Sequence, residues 1–496
     1  MMYRSVLVIG LLAAPGALAA QRAALPSVPQ SLGLDEALEL AVRHNPIYRQ
    51  TANDRGPAAW GVRNALAQLF IPSFSATGAF NYQGAGRQRF LTQEFTAGSA
   101  TIGSSYSLGL SWRLSGATLA QPGLARAQLH AAEAAIDGAR TTLESTVRQQ
   151  YLSVLQARAQ VGLAELQLRR NDEFLRLAQA RFQVGQATLL DVRQAEVARG
   201  QSEVGLLQAG QTVIVEKLRL FQLMGIPAPV DLSVVTLTDS FPVVEPDWSL
   251  GDLLAAADAD NPDVNTLRAR ASAARSSESA AKSEWLPTVD FSAGWSGFTQ
   301  QFTNNQFLVD QARLSAANNQ LECDFSNAAW LNPGVTPLNC DLLALTPEAE
   351  AAIRTRNTAF PFDFTAQPFS ARVILSLPLF TQFGRPLRVS RASAAADDAW
   401  EAVEARRLQV RTDVSQAFYA LQTAHESIRI QGTNRVAAQE QLRLATERYR
   451  VGSGTFFELL DAQLAAQQAE ADYINAVYGY HQSIASLEAA VGRPLR

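Results

Sequence analysis

The sequence predicts a chain of long α-helices and four short, two-faced β-strands, with the whole pattern written twice. Three observations predict it. The stretch "RFQVGQATLLDVRQAE" (residues 181–196) is echoed 267 positions later by "RYRVGSGTFFELLDAQ" (448–463), with arginine, aromatic residue, Val-Gly, threonine and acid in register. Four segments of about ten residues alternate with a period of two. Apolar residues recur every seven positions through a stretch without proline.

The chain has 496 residues, of which 47% are hydrophobic and 8% aromatic, enough apolar matter to fold throughout. Length alone suggests about three domains, a prior that the repeat overrides. A net charge of −4 with no basic stripe excludes nucleic acid as a partner and leaves proteins and membranes. The four histidines (His44, His130, His425, His481) are scattered without ligand spacing, and neither a nucleophile elbow nor a phosphate-binding glycine loop occurs. The expectation is no enzyme, no cofactor and no metal site. Beyond the first residues Met224 is the sole methionine, which argues against a methionine-lined copper path.

Residues 1–20 form an expected signal peptide: Arg4 begins it, "VLVIGLLAAPGALA" is its apolar run, and Ala17-Leu18-Ala19 is a small-residue cleavage site. The run is shorter than the ~20 residues of a spanning helix. No cysteine follows the cleavage site, so a lipid-modified N-terminus is not indicated. No later stretch is long and apolar enough to cross a membrane as a helix, so any crossing falls to strands.

The first repeat spans 31–230, a Pro-rich linker containing "FPVVEP" covers 231–247, and the second repeat spans 248–496. Val147 matches Val414, Tyr151 matches Phe418, and Gly225-Ile226-Pro227 matches Gly492-Arg493-Pro494. Upstream the offset falls to 216, where "EALELAVRHNP" (36–46) faces "DLLAAADADNP" (252–262), so the second half carries an insertion. In Asn45-Pro46 and Asn261-Pro262, asparagine closes one helix and proline opens the next.

After Pro72 and Pro287 the period changes to two. Strands are expected near 73–84, 104–114, 288–298 and 369–379. Phe74, Phe80, Tyr106, Leu108, Trp112, Phe291, Trp295, Val373 and Leu375 lie on apolar faces, and small polar residues lie on the others. A half-buried soluble sheet alternates in the same way. Export and small inward residues favour a membrane barrel, apolar outside and polar inside. Four strands cannot close, since single-chain barrels begin at about eight, so closure requires several copies.

From 124 to 184 the pattern is helical, with Val147, Val154, Val161, Leu168, Leu175 and Phe182 at heptad spacing. Val414, Leu421, Ile428, Arg435, Leu442 and Tyr449 repeat it. Left-handed supercoiling follows. A rod of that length measures roughly 90 Å, and two shorter helices placed end to end match it, giving four helical columns per chain. Each long helix reverses at a tip, near 185–188 and near 452–455. Gly185 and Gly452 suit the left-handed helix end, Thr188 and Thr455 cap the next helix, and Asp191 and Glu458 complete capping boxes. Asp461, on the face of Glu458, is not needed for capping.

The segment 299–368 reads as a long extracellular loop rich in Asn, Gln and Pro. It holds the only two cysteines, Cys323 and Cys340, expected as a disulfide in an exported chain and worth about 3 kcal/mol.

The Asn-Pro pairs, the strand pairs, both tip motifs and the terminal "GRP" together resemble the TolC family of outer membrane efflux proteins over nearly all of the chain past residue 20. The resemblance implies a homotrimer whose twelve-stranded β-barrel in outer-membrane lipid continues into a twelve-column α-helical barrel through the periplasm. It implies a passive exit duct for efflux or type I secretion, meeting a periplasmic adaptor (membrane fusion) protein and an inner-membrane pump of the RND or ABC type. Arg181, Val184, Gly185, Thr188, Arg448, Val451, Gly452 and Thr455 would form the tips that the adaptor contacts. Glu458 and Asp461 would ring the constriction with six carboxylates. Asp191 would accept a hydrogen bond from Tyr449 and latch the entrance. The family's latching arginine is replaced here by Gly454. A non-transporting periplasmic coiled-coil scaffold is the competing expectation, and no cargo is legible.

Overall fold

The computed structural model describes residues 30–90, 93–96, 99–329, 336–365 and 367–495. The expected signal peptide lies outside them. In chain order the elements of the first half are β1 (Ser31–Leu32), α1 (Leu34–His44), α2 (Pro46–Asn53), α3 (Arg55–Phe70), β2 (Ser73–Gln83), β3 (Arg87–Phe90), β4 (Gln93–Thr96), β5 (Thr101–Leu114), α4 (Gly116–Gln183) and α5 (Leu189–Met224). Then follow β6 (Thr236–Leu237), α6 (Leu250–Asp260), α7 (Pro262–Ser283), β7 (Thr288–Phe302), α8 (Asn305–Ala329), α9 (Pro347–Arg356), β8 (Ser370–Ser376), α10 (Gly384–Arg450) and α11 (Phe456–Val491).

Compact units do not follow the repeats. Among the described residues one comprises those up to Pro57, His130–Ala271 and those from Asp398 onward, the other Ala58–Leu129 and Ser272–Asp397, and the boundaries fall inside α3, α4, α7 and α10.

The first unit is helical apart from the short parallel pair β1–β6. Heptad residues supply its core, except that Phe182 is exposed. Val147, Val154, Leu220 and Met224 are buried with Ala37 and Ala41, and their repeat equivalents Val414, Leu421, Leu487 and Val491 are buried with Leu253 and Ala257. The charged heptad position, Arg435, lies 4.0 Å over the Tyr473 ring and 3.7 Å from Glu470, so its guanidinium has an aromatic face and a carboxylate.

The Asn-Pro pairs do more than punctuate helices. Asn45 Nδ2 donates to Leu223 O and Asn261 Nδ2 to Ala490 O, each at 2.8 Å, while their Oδ1 atoms cap α2 and α7. Each pair thus clamps the end of its own repeat's last helix, where Gly225 (φ +72°) and Gly492 (φ +93°) turn the chain.

The second unit is built on the antiparallel sheet β2-β5-β7-β8. Its register aligns the faces across all four strands: Ser73, Ser111, Ser292 and Arg372 are partners on the polar face, and Phe74, Leu110, Ala293 and Ala371 on the apolar one. Arg113 pairs with Asp290 on the polar face. Phe74, Phe80, Tyr82, Trp295, Val373 and Leu375 are exposed. Among the described residues the outer edges of β2 and β8 have no strand partner in the sheet. β5 and β7 run beyond the expected limits to Thr101 and Phe302, whereas β8 spans only Ser370–Ser376, because Pro378 offers no ladder donor.

The expected loop 299–368 is corrected by the structure: it opens with the end of β7 and contains α8, a short 3-10 turn at Cys340–Leu343, and α9. Cys323 and Cys340 are bonded, with Cα atoms 5.7 Å apart. Arg313–Glu350 ties α8 to α9. The returning chain then lies along the outer end of the apolar face. Asn357 exchanges hydrogen bonds with the Phe302 backbone, Phe360 packs edge-on to Phe80, and Phe364 edge-on to Tyr106.

Candidate functional site

Both tips are built alike. At the first, Gly185 (φ +78°) donates to Phe182 O and Gln186 to Arg181 O; at the second, Gly452 (φ +82°) donates to Tyr449 O and Ser453 to Arg448 O. These are paired 5→2 and 6→1 bonds, which satisfy the orphan carbonyls of a helix end. Thr188 Oγ1 then accepts from Asp191 N, and Asp191 Oδ2 from Thr188 N, a complete capping box on α5. Thr455 caps α11 through Glu458 N, but Glu458 does not complete a box there. Its carboxylate lies 3.4 Å from Arg448 Nη1.

The two hairpins meet through Arg181. Its guanidinium lies 4.4 Å over the Tyr449 ring, donates through Nη1 to Tyr449 O, and donates through Nη2 to Gln186 O at 3.0 Å. Arg181 is 9% exposed and Tyr449 3%. Around them Ala178, Val192, Leu442, Phe456, Leu459 and Ala462 form a separate apolar cluster, with the Tyr449 and Phe456 rings 5.6 Å apart. The heptad places Tyr449 inward; nothing in the spacing says that an arginine 268 residues away covers it.

The expected hydrogen bond from Tyr449 to Asp191 is not formed. Asp191 caps its own helix, and the Tyr449 hydroxyl is buried without a partner. Burial raises the pKa of this phenol, the Asp191 charge adds to that, and Arg181 opposes it, so the group stays protonated at neutral pH. Arg181, expected among the adaptor contacts, is turned inward. Phe182, Val184, Leu189, Leu190, Val451 and Phe457 are large apolar side chains left exposed at the tips. Beside them, α4, α5 and α11 enclose a groove of about 560 Å³ floored by Asn171 and Gln463, which hydrogen-bond each other.

Glu458 and Asp461 are both exposed, one turn apart on α11. Gly454 sits against Arg448: a Cβ there would lie 3.1 Å from Arg448 Cβ and 3.2 Å from Glu458 Oε2. Among the described residues no group of three or more His, Cys, Asp or Glu is placed to hold a metal ion.

The sequence matches the outer membrane efflux protein family over residues 55–226 and 341–493, well over half of the chain. The chain belongs to that family. The family places this outer membrane efflux protein in the outer membrane, among channels rather than enzymes. Nodulation protein T of Rhizobium leguminosarum bv. trifolii is similar, 29% identical over 125 residues, but the match spans only 27% of that relative's length and 25% of this chain. A membrane protein from Pseudomonas aeruginosa has the same fold, with a TM-score of 0.67, 20% identity, and 92% of this chain and 93% of the other covered. The open-state MtrE outer membrane channel of Neisseria gonorrhoeae gives a TM-score of 0.65 at 18% identity, with 93% and 89% covered.

Within this efflux protein the tip contact depends on the Tyr449 ring and backbone, not on its hydroxyl. Tyr449→Phe is therefore expected to leave single-channel conductance in planar bilayers unchanged, and stability unchanged or slightly raised, since no hydrogen bond is lost. A large rise in conductance would restore the hydroxyl to the latch.

Proposed function

We propose that the protein is the passive outer-membrane duct of a tripartite efflux or type I secretion system. Three copies close the barrel, β8 of each pairing with β2 of the next, to give twelve strands around one pore. The carrying observation is the sheet itself: two aligned faces, an exposed apolar side, and an unpaired outer edge on each of β2 and β8. An open edge is not viable in lipid, and several copies remove it. The helical hairpins continue the duct into the periplasm, where the tips meet a periplasmic adaptor that links them to an inner-membrane pump of the RND or ABC type. Val184, Leu190, Val451 and Phe457 supply the apolar contacts for the adaptor's helices.

Glu458 and Asp461 line the entrance and favour cations. Arg448 offsets part of the Glu458 charge, so each copy contributes about one net negative charge from these three residues. Replacing both acids (Glu458→Gln with Asp461→Asn) is expected to lower the cation-to-anion permeability ratio several-fold, read as a shift of the reversal potential toward zero under a salt gradient. An unchanged reversal potential would remove these acids from the pore. Absence of any channel activity, with protein recovered from the periplasmic fraction, would return the chain to the scaffold reading.

A further inference from the structure

The duplication leaves one contact made and its counterpart open. Arg181 and Phe182 of the first hairpin correspond to Arg448 and Tyr449 of the second, and Leu189 corresponds to Phe456. The two arginines are held in the same pose, since Arg181 Nη2 donates to Gln186 O at 3.0 Å and Arg448 Nη2 to the equivalent Ser453 O at 3.3 Å. Their surroundings are opposite. Arg181, Tyr449 and Phe456 are buried against one another, whereas the Arg448 side chain is 58% exposed, Phe182 45% and Leu189 53%. The arginine side of the first hairpin is covered by the ring side of the second. What remains open is the arginine side of the second and the ring side of the first.

We propose that Arg448 of each copy stacks on Phe182 of the neighbouring copy, repeating between chains the contact that Arg181 makes with Tyr449 within one. The proposal rests on the trimeric-duct reading, in which first and second hairpins alternate around a closed ring and the two open sides face each other. A planar guanidinium suits both tasks: its edge serves Ser453 O and Glu458, and its face takes the ring. The entrance is then fastened at six places by one kind of contact, three within chains and three between them. Gly454 need not supply an arginine, because Arg448 occupies that space. The between-chain contacts are the weaker set, since Leu189, the counterpart of Phe456, brings no ring beside Phe182.

Chemical cross-linking in native outer membranes tests this. Cys323 and Cys340 are bonded to each other and the described residues include no free cysteine, so introduced thiols report alone. With Arg448→Cys and Phe182→Cys in one chain, a short bismaleimide is expected to convert most of the protein into covalent dimers and trimers on denaturing gels. The pair Arg181→Cys and Tyr449→Cys is expected to give cross-linked monomers only. An intact parent trimer, with the first pair yielding monomers alone, overturns the contact and leaves the duct standing. A parent that forms no trimer overturns both. As a functional readout, Phe182→Leu, which keeps apolar bulk but removes the ring, is expected to raise channel open probability roughly 2- to 5-fold. Unchanged opening would count against the contact.

Discussion

Gly492→Ala is expected to lower the apparent melting temperature of the assembled protein well below that of the parent, and further than Gly185→Ala does. Two costs coincide there. At φ +93° an L side chain is strained by about 1–2 kcal/mol, and the new Cβ would lie 2.5 Å from Pro262 Cδ and 2.8 Å from Asn261 Cα. Relieving that overlap means shifting the Asn261-Pro262 clamp, at about 1–3 kcal/mol more. Gly225→Ala should behave alike, since its Cβ would meet His44 O at 2.5 Å and Asn45 Cα at 2.7 Å. Gly185→Ala is the control: the conformation is the same but nothing lies within 4 Å, so only the strain of about 1–2 kcal/mol remains. Heating followed by gel migration or tryptophan fluorescence, at one scan rate, ranks the three. Equal losses at Gly185 and Gly492 would show that the clamp contributes nothing.

Arg181→Ala is expected to open the entrance, raising conductance in planar bilayers by about tenfold or more. The change removes the cation over Tyr449, worth up to about 2 kcal/mol where desolvated, and charged hydrogen bonds to two carbonyls at about 1.5–3 kcal/mol each. The Tyr449 and Gln186 carbonyls lose their shared partner, and the hairpins lose their principal polar tie. Arg181→Lys should fall between, because one ammonium cannot serve two carbonyls and cover a ring at once. If Arg181→Ala conducts like the parent, the tie between hairpins is not what holds the entrance.

Much of this architecture is legible in the residues. Val147, Val154, Val414 and Leu421 lie where the heptads put them, and the four strands alternate as their sequences do because the register is whole across the sheet. Local chemistry at the tips is legible too, since glycine conformations and threonine caps depend on a few neighbouring residues. What failed has a common cause. Arg181 on Tyr449, and Glu458 turned to Arg448 instead of its cap, are choices among partners that no spacing specifies. The insertion misled for another reason: Asn, Gln and Ser dilute the apolar period of α8, and a disulfide with one arginine–glutamate pair braces it where no large core does.

The Asn-Pro clamps bear on ancestry. Because Asn45 holds Leu223 and Asn261 holds Ala490, the beginning and the end of each repeat lie side by side, and β1 pairs with β6 in the connector just beyond. A unit whose ends already touch can be copied in tandem with only a short connector and no rearrangement of its interior. In the proposed duct, a unit of half this length, with two strands and one capped hairpin, would need six copies where the duplicated chain needs three, and duplication lets the two tips differ: Asp191 completes the cap of the first, while Asp461 of the second faces Gln194 in the repeat alignment.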